Sequence, residues 1–230
     1  MAKRKRRLTR KELKRDKFVE TTTKSLTFVR KHSTLIAATT IGIIVLISGI
    51  LYYRHSQAEK AEKARTLLSS AISWYMQNDF ERARDVLERI TTQHRGTESA
   101  KKALYYLGNV YYVTGEYDKA KQAFEDFLKS SDDEILAPGA LLGIADIYSQ
   151  KQEYFQAAQK YLEVEKKFNQ SYLVPKALLQ AAHCYEAIGN FTQAESLYTK
   201  IINKYPKTPF AKDATEDLAL LKPTIPSQIK

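Results

Sequence analysis

The chain has 230 residues, 43% hydrophobic and 27% charged, with 37 Lys/Arg against 26 Asp/Glu and a formal net charge of +11. The single cysteine, Cys184, excludes a disulfide framework, and the length allows a sizeable core. Charge is spread unevenly: residues 1–32 hold 13 Lys/Arg against Glu12, Asp16 and Glu20, a net +10, while the remaining 24 basic and 23 acidic residues nearly cancel.

The basic arm, 1–32, is polar enough to read as mostly disordered. Within it Leu8, Leu13, Phe18 and Val19, then Leu26, Phe28 and Val29, are spaced for short amphipathic helices on a membrane surface. Next comes STLIAATTIGIIVLISGILYY, Ser33 to Tyr53, without a charged side chain. As a helix it spans roughly 30 Å, the hydrocarbon thickness of a bilayer. Lys31 and Arg54 bracket the run, and Tyr52 and Tyr53 sit where interfacial aromatics belong. A buried core helix rarely goes so long without a charge, so 33–53 reads as a single transmembrane helix. Ser56-Gln57-Ala58 resembles a signal cleavage site, but the apolar run exceeds the usual h-region of about 7–15 residues and the basic region ahead of it is too long. The positive-inside rule places the arm in the cytoplasm and the rest across the membrane, with attraction to anionic lipid as an aid. The rival reading of the arm, a ribosome or nucleic-acid contact through phosphates, has no accompanying folded motif. No nucleic-acid partner is expected. Residues 54–63 form a helical linker without Gly or Pro, so one helix should run from the span to about Gln77, with Gly49 as the place for a bend.

From Ala64 the chain repeats with a step of 37 residues. Four windows align Leu67, Leu104, Leu141 and Leu178, then Trp74, Tyr111, Tyr148 and Tyr185, then Phe80, Tyr117, Tyr154 and Phe191. Small residues follow at Ala83, Ala120, Ala157 and Ala194. Large ones close each window at Leu87, Phe124, Tyr161 and Tyr198, and at Ile90, Phe127, Val164 and Ile201. Offsets of three, four and seven build one apolar stripe on each of two helices per window. Asn78-Asp79, Gly115-Glu116, Gln152-Glu153 and Gly189-Asn190 mark the turn inside each repeat. Gly96-Thr97, Pro138-Gly139, Val174-Pro175 and Pro206 to Pro209 separate the units. The expected fold is all-α: a transmembrane helix, then an α-solenoid over 64–222 of about four helix-turn-helix repeats, capped by an amphipathic helix from Phe210 to Lys222. Residues 223–230 read as a tail.

Leu107-Gly108 with Tyr111, Gly115, Tyr117, Ala120 and Phe124 resembles a tetratricopeptide repeat, and Tyr205-Pro206 with Ala194, Tyr198 and Ile201 resembles its helix-end signature. The first repeat departs most, with Ser70 and Ala71 in place of Leu-Gly and Arg95 in place of Pro. The whole order, including Leu8-Thr9-Arg10-Lys11-Glu12-Leu13-Lys14 in the arm, is similar to a narrower family, the single-pass inner-membrane ancillary subunit of the bacterial Sec translocon. That resemblance implies a bacterial inner-membrane protein with a periplasmic repeat domain, and as partners the translocon, periplasmic chaperones or unfolded polypeptide.

No catalytic constellation stands out, and neither an enzyme, a cofactor nor a metal is expected. His183 and Cys184 are adjacent and point about 100° apart on a helix. The other histidines are scattered, and Cys184 reads as a small buried residue. The informative excess is ALYYLGNVYYV, Ala103 to Val113, whose core stripe leaves Tyr105, Asn109 and Tyr112 on another face. In this repeat family that face lines a groove. Equivalent positions are Leu68, Ile72, Tyr75 and Met76, then Leu142, Asp146 and Ser149, then Leu179, His183 and Glu186. A Tyr-rich groove suits an extended peptide or partner helix; the bland alternative is packing on a neighbouring or capping helix. On the groove reading, Tyr105→Ala with Tyr112→Ala weakens partner capture without unfolding the domain. A different class of function is an envelope organiser for cell division or outer-membrane assembly, self-associating with help from Gly42, Ser48 and Gly49 in the span.

Overall fold

The structure is a computed structural model and describes residues 10–221, with side chains from Phe18 onward. The arm's first nine residues, the side chain of Leu13, and Lys222 with the expected tail lie outside the described residues. The described residues form ten helices and no strand: α1 (Arg10–Lys31), α2 (Ser33–Met76), α3 (Phe80–Gln93), α4 (Glu98–Val113), α5 (Tyr117–Ser130), α6 (Ala137–Gln150), α7 (Tyr154–Lys167), α8 (Val174–Ala187), α9 (Phe191–Lys204) and α10 (Pro209–Leu221). The chain divides into two compact units, one ending at Ala58 and one beginning at Glu59.

In the first unit, the described part of the arm, residues 10–31, is one continuous helix where its polarity suggested disorder with short amphipathic helices. Residues 10–31 contain no Gly or Pro, and local bonds support the helix. Lys24 pairs with Glu20 one turn back at 2.7 Å. The hydroxyls of Thr22, Thr23, Ser25 and Thr27 donate to the carbonyls of Phe18, Val19, Thr21 and Thr23 at 2.6–2.9 Å. α1 stops at Lys31, and α2 begins at Ser33 after a turn at His32. α2 runs 44 residues through Gly42 and Gly49 to Met76, one residue short of the expected end. Its apolar stretch is long enough to cross a membrane and is entirely unburied within the protein. Thr39 and Thr40 both donate to the Ile36 carbonyl, so these two hydroxyls are satisfied within the helix.

The second unit carries the repeats. Each turn within a repeat uses one left-handed residue: Asn78, Gly115, Gln152 and Gly189, with φ of 60°, 80°, 61° and 75°. Asp79 and Asn190 then cap α3 and α9, accepting from the N–H groups of Arg82 and Gln193. Between repeats Thr97 caps α4 through the Ala100 N–H at 3.1 Å. Pro138 and Pro175 occupy the first turns of α6 and α8, where a missing N–H costs nothing. α10 begins at Pro209 and ends at Leu221, within a residue of the expected cap.

Burial follows the columns. Ala83, Ala120, Ala157 and Ala194 are all 0% exposed, as befits the point where paired helices approach most closely. Leu87, Phe124, Tyr161 and Tyr198 are 0–1% exposed. Ala64, Leu68 and Ala71 of α2 join the core built around α3 to α5, and a second core runs from α7 to α10. α6 closes both, giving Ala140, Ile144 and Ile147 to the first and Leu141, Leu142 and Ala145 to the second. The phenols of α4, α6 and α8 tie each repeat to the preceding second helix. Tyr111 donates to Glu88 at 2.7 Å, Lys121 to the Tyr148 hydroxyl at 2.7 Å, and Gln159 to the Tyr185 hydroxyl at 3.0 Å. Lys200 and Lys204 converge on Glu165. Partial burial pushes that carboxyl up, but the two lysine hydrogen bonds win and hold it below the usual range.

Candidate functional site

The groove-facing candidates on α2, α4, α6 and α8 fall into three environments. Leu68, Leu142 and Leu179 are 4–7% exposed, so they belong to the cores and offer a ligand no surface. This corrects their place in the expected groove: the helices pack closely enough for this position to face a neighbour. Ile72, Tyr75, Tyr105, Asn109, Tyr112, Asp146, Ser149, His183 and Glu186 are half-buried, and Met76 is exposed.

The first environment is an aromatic ladder. Tyr75 meets Phe80 and Tyr106 edge-on with ring centroids 5.9 and 6.0 Å apart, and Tyr106 meets Tyr105 edge-on at 5.4 Å. Tyr105 continues inward to Phe127 and Phe124 at 5.7 and 6.1 Å. Its hydroxyl also lies against Gly139 of the next repeat. Tyr105 is therefore as much a packing residue as a lining one. Asn109 spends its amide N–H on the Tyr105 carbonyl at 2.9 Å, one turn back on its own helix.

The second environment is a polar cleft of about 240 Å³, where Tyr112, Asp146 and Ser149 come together with Gln150, Tyr161, Lys176 and Gln180. The buried Tyr161 hydroxyl donates to Asp146. Burial, then the Asp146 charge, pushes the Tyr161 phenol well above its usual value. Burial also raises the Asp146 carboxyl, opposed by the Tyr161 bond and the Lys176 charge. Nearby Cys184 is buried, its thiol pushed up to about 11, mainly by burial, which leaves little thiolate for chemistry.

The third environment is the α8–α10 contact. His183 Nε2 lies 2.8 Å from Asp217 of the cap, and the Tyr198 hydroxyl donates to Glu186 at 2.7 Å. The capping helix thus claims His183, as the alternative of packing on a neighbour foresaw.

Because the folded Asp146 carboxyl keeps its proton to a higher pH than an unfolded aspartate, ionising it costs stability. That cost vanishes as pH falls through the raised value toward the ordinary one near ~3.9. Asp146→Asn, which can still accept from Tyr161, is expected to raise the melting temperature at neutral pH, with the gain shrinking toward about pH 4. Thermal melts of both proteins across that range check it, and a lower melting temperature at neutral pH would contradict it.

Sequence reasoning missed Tyr106, Lys176, Gln150, Gln180 and Asp217, because groove spacing alone does not rank one flank of a helix over the other. One signal was present. The column Leu87, Phe124, Tyr161, Tyr198 changes from hydrocarbon to phenol in its last two windows, and a buried phenol needs an acceptor. Those acceptors are the groove carboxylates. A larger cleft, about 550 Å³, lies elsewhere, between the turns at Glu134–Ile135 and Lys167–Tyr172. Tyr172 at its edge comes near Tyr105, whose phenol is raised mainly by burial and slightly by its tyrosine neighbours.

Comparison with known proteins agrees with this geometry. A family model described as the tetratricopeptide repeat protein 21 N-terminal ARM repeat matches residues 87–212, and a tetratricopeptide repeat model matches residues 65–97. No curated protein matches the sequence significantly. Among solved structures, the chain is similar to a tetratricopeptide repeat protein from Parabacteroides merdae (17% identity, TM-score 0.59, 71% of this chain and 61% of that one). It is also similar to MamA (17%, 0.56, 70% and 81%) and to Pseudomonas aeruginosa pilF (20%, 0.51, 67% and 66%). At such identities the likeness speaks for the fold alone. Tetratricopeptide scaffolds are in general non-catalytic modules that bind other proteins along the face their stacked helices present. With more than half of its 230 residues covered by one of these models and the first repeat by the other, the chain belongs to the tetratricopeptide-repeat family.

Proposed function

We propose that this protein is a membrane-anchored scaffold whose repeat groove holds an extended polypeptide segment. α2 crosses the membrane over 33–53, the arm before it is cytoplasmic, and the repeats lie on the far side. The observation that carries the groove reading is the run of half-buried aromatics, Tyr75, Tyr106 and Tyr105, leading to the polar cleft around Tyr112 and Asp146. Rings bind apolar side chains at low entropic cost, and the mixed donors and acceptors of the cleft suit main-chain amides. The membrane reading is supported by the charge-free run, its exposure along its whole length, and the basic residues confined to one side of it. Resemblance to the ancillary subunit of the bacterial Sec translocon makes the periplasm the compartment. It makes the translocon, periplasmic chaperones and emerging chains the partners. A tether keeps such a groove at high effective concentration beside the exit site.

Tyr105 packs inward, so its truncation would confound folding with binding. The cleaner variant is Tyr75→Ala with Tyr112→Ala, both half-buried. It is expected to bind a permanently unfolded, carboxymethylated polypeptide about tenfold more weakly, with its circular dichroism unchanged. Equal affinity for the two proteins, measured by fluorescence anisotropy, would rule out the groove.

A further inference from the structure

The arm is +10 within 32 residues, and its described part is one helix ending at a turn directly beside the charge-free run. On a helical wheel Phe18, Val19, Thr22, Leu26 and Val29 fall within an arc of roughly 100°. Phe18, Val19, Leu26 and Val29 are 50–69% exposed, so no described residue covers this stripe. Glu20, Lys24, Thr27 and Lys31 lie on the opposite side of the wheel. Phe28 falls outside the stripe, on the flank, where its ring packs on His32 at 4.7 Å.

We infer that α1 is a second membrane contact: it lies along an anionic bilayer surface with the Phe18–Val29 stripe sunk into the headgroup and acyl boundary. Three observations choose lipid over a protein occupant. First, the helix carries eight Lys/Arg against three Asp/Glu, which matches an anionic leaflet. Second, α1 ends in the turn at His32, one residue before the charge-free run begins, so the basic helix stops at the level of the interface, while the His32 and Ile36 N–H groups still donate to the Phe28 and His32 carbonyls at 3.0 and 2.9 Å. Third, the only polar group on the stripe, the Thr22 hydroxyl, already donates to the Phe18 carbonyl at 2.6 Å. Thr23, Ser25 and Thr27 bond back in the same way, so the face enters a water-poor layer without unpaired hydroxyl donors. Inserted this way, α1 fixes the tilt and depth of the anchor as a span alone does not.

The inference rests on α2 spanning the membrane, and one set of measurements separates the two. The full chain, labelled with an environment-sensitive fluorophore at Leu26→Cys, Glu20→Cys or Ile44→Cys, is reconstituted in phosphatidylcholine vesicles with about 30% anionic phosphatidylglycerol. Buried Cys184, its thiol near 11, stays unlabelled. Acyl-chain nitroxide lipids are expected to quench the labels at 26 and 44 about threefold more than the label at 20. Omitting the anionic lipid should reduce quenching at 26 and leave 44 unchanged. If 44 is quenched while 26 and 20 behave alike, α1 does not lie on the bilayer and this inference falls alone. If 44 is not quenched, the span falls and takes the inference with it.

Discussion

Alanine at Gly108 or at Gly143 is expected to destabilise the repeat domain by about 1–3 kcal/mol, although helix propensity favours the change by up to about 1 kcal/mol. The reason is one ring. A Cβ at Gly108 would lie 2.6 Å from Phe124 Cδ1, and a Cβ at Gly143 would lie 2.5 Å from Phe124 Cε2. These are opposite edges of a side chain that is 1% exposed, so the ring cannot retreat from one helix without closing on the other. The two substitutions share a partner and should not add. Gly139→Ala is the control. Its added Cβ would meet only the far end of Tyr105, with the hydroxyl at 2.7 Å, and a small swing of that half-buried ring relieves the contact. Denaturant titrations should show a clear loss of midpoint for the first two variants and little for the third. A stabilised Gly108→Ala would mean that the Phe124 sandwich is looser than described.

Arginine at both Ile43 and Ile47 is expected to abolish membrane integration while leaving the repeats folded. The ten Leu, Ile and Val side chains between 33 and 53 contribute in total about −3 to −6 kcal/mol on the insertion scale, and each central arginine costs about +2.5 to +3.5 kcal/mol. Counting the isoleucine lost with each change, one substitution leaves a balance of about −3 to +1 kcal/mol and reduces integration, and two leave about 0 to +5 kcal/mol, which removes the driving force. Alkaline extraction of membranes, read against circular dichroism of the released protein, checks both steps. A double variant that still resists extraction would show that α2 is not held by its own apolarity.

How far each feature was legible depends on its range along the chain. The turns were readable because left-handed residues and caps act within four positions: Asn78, Gly115, Gln152 and Gly189 all adopt positive φ where the turn residues pointed. Gly108 was legible as part of a motif. Gly143 was not, since only the placement of α6 against Phe124 gives it a role. In the described part of the arm, 10–31, the helix is longer than its polarity suggested, because low hydrophobicity argues against a packed core, which is a tertiary matter, and says little about a helix supported by its own local bonds. The groove was legible by face and not by depth. Tyr112, Asp146 and Ser149 do share a cleft, yet Leu142, four residues before Asp146, is core.

Local and periodic information, carried by the sequence alone, determined the all-helical class, the repeat length, the turns, the cap and the charge-free run, because each depends on spacing along a single helix or turn. Tertiary structure decided which groove positions are open, that Tyr161 and Tyr198 reach through the core to hold Asp146 and Glu186, and that His183 belongs to the capping helix. Those outcomes depend on the distance at which helices pack, within a pair for the two phenols and between α8 and α10 for His183. A shift of about one side chain in that distance turns a lining residue into a buried one.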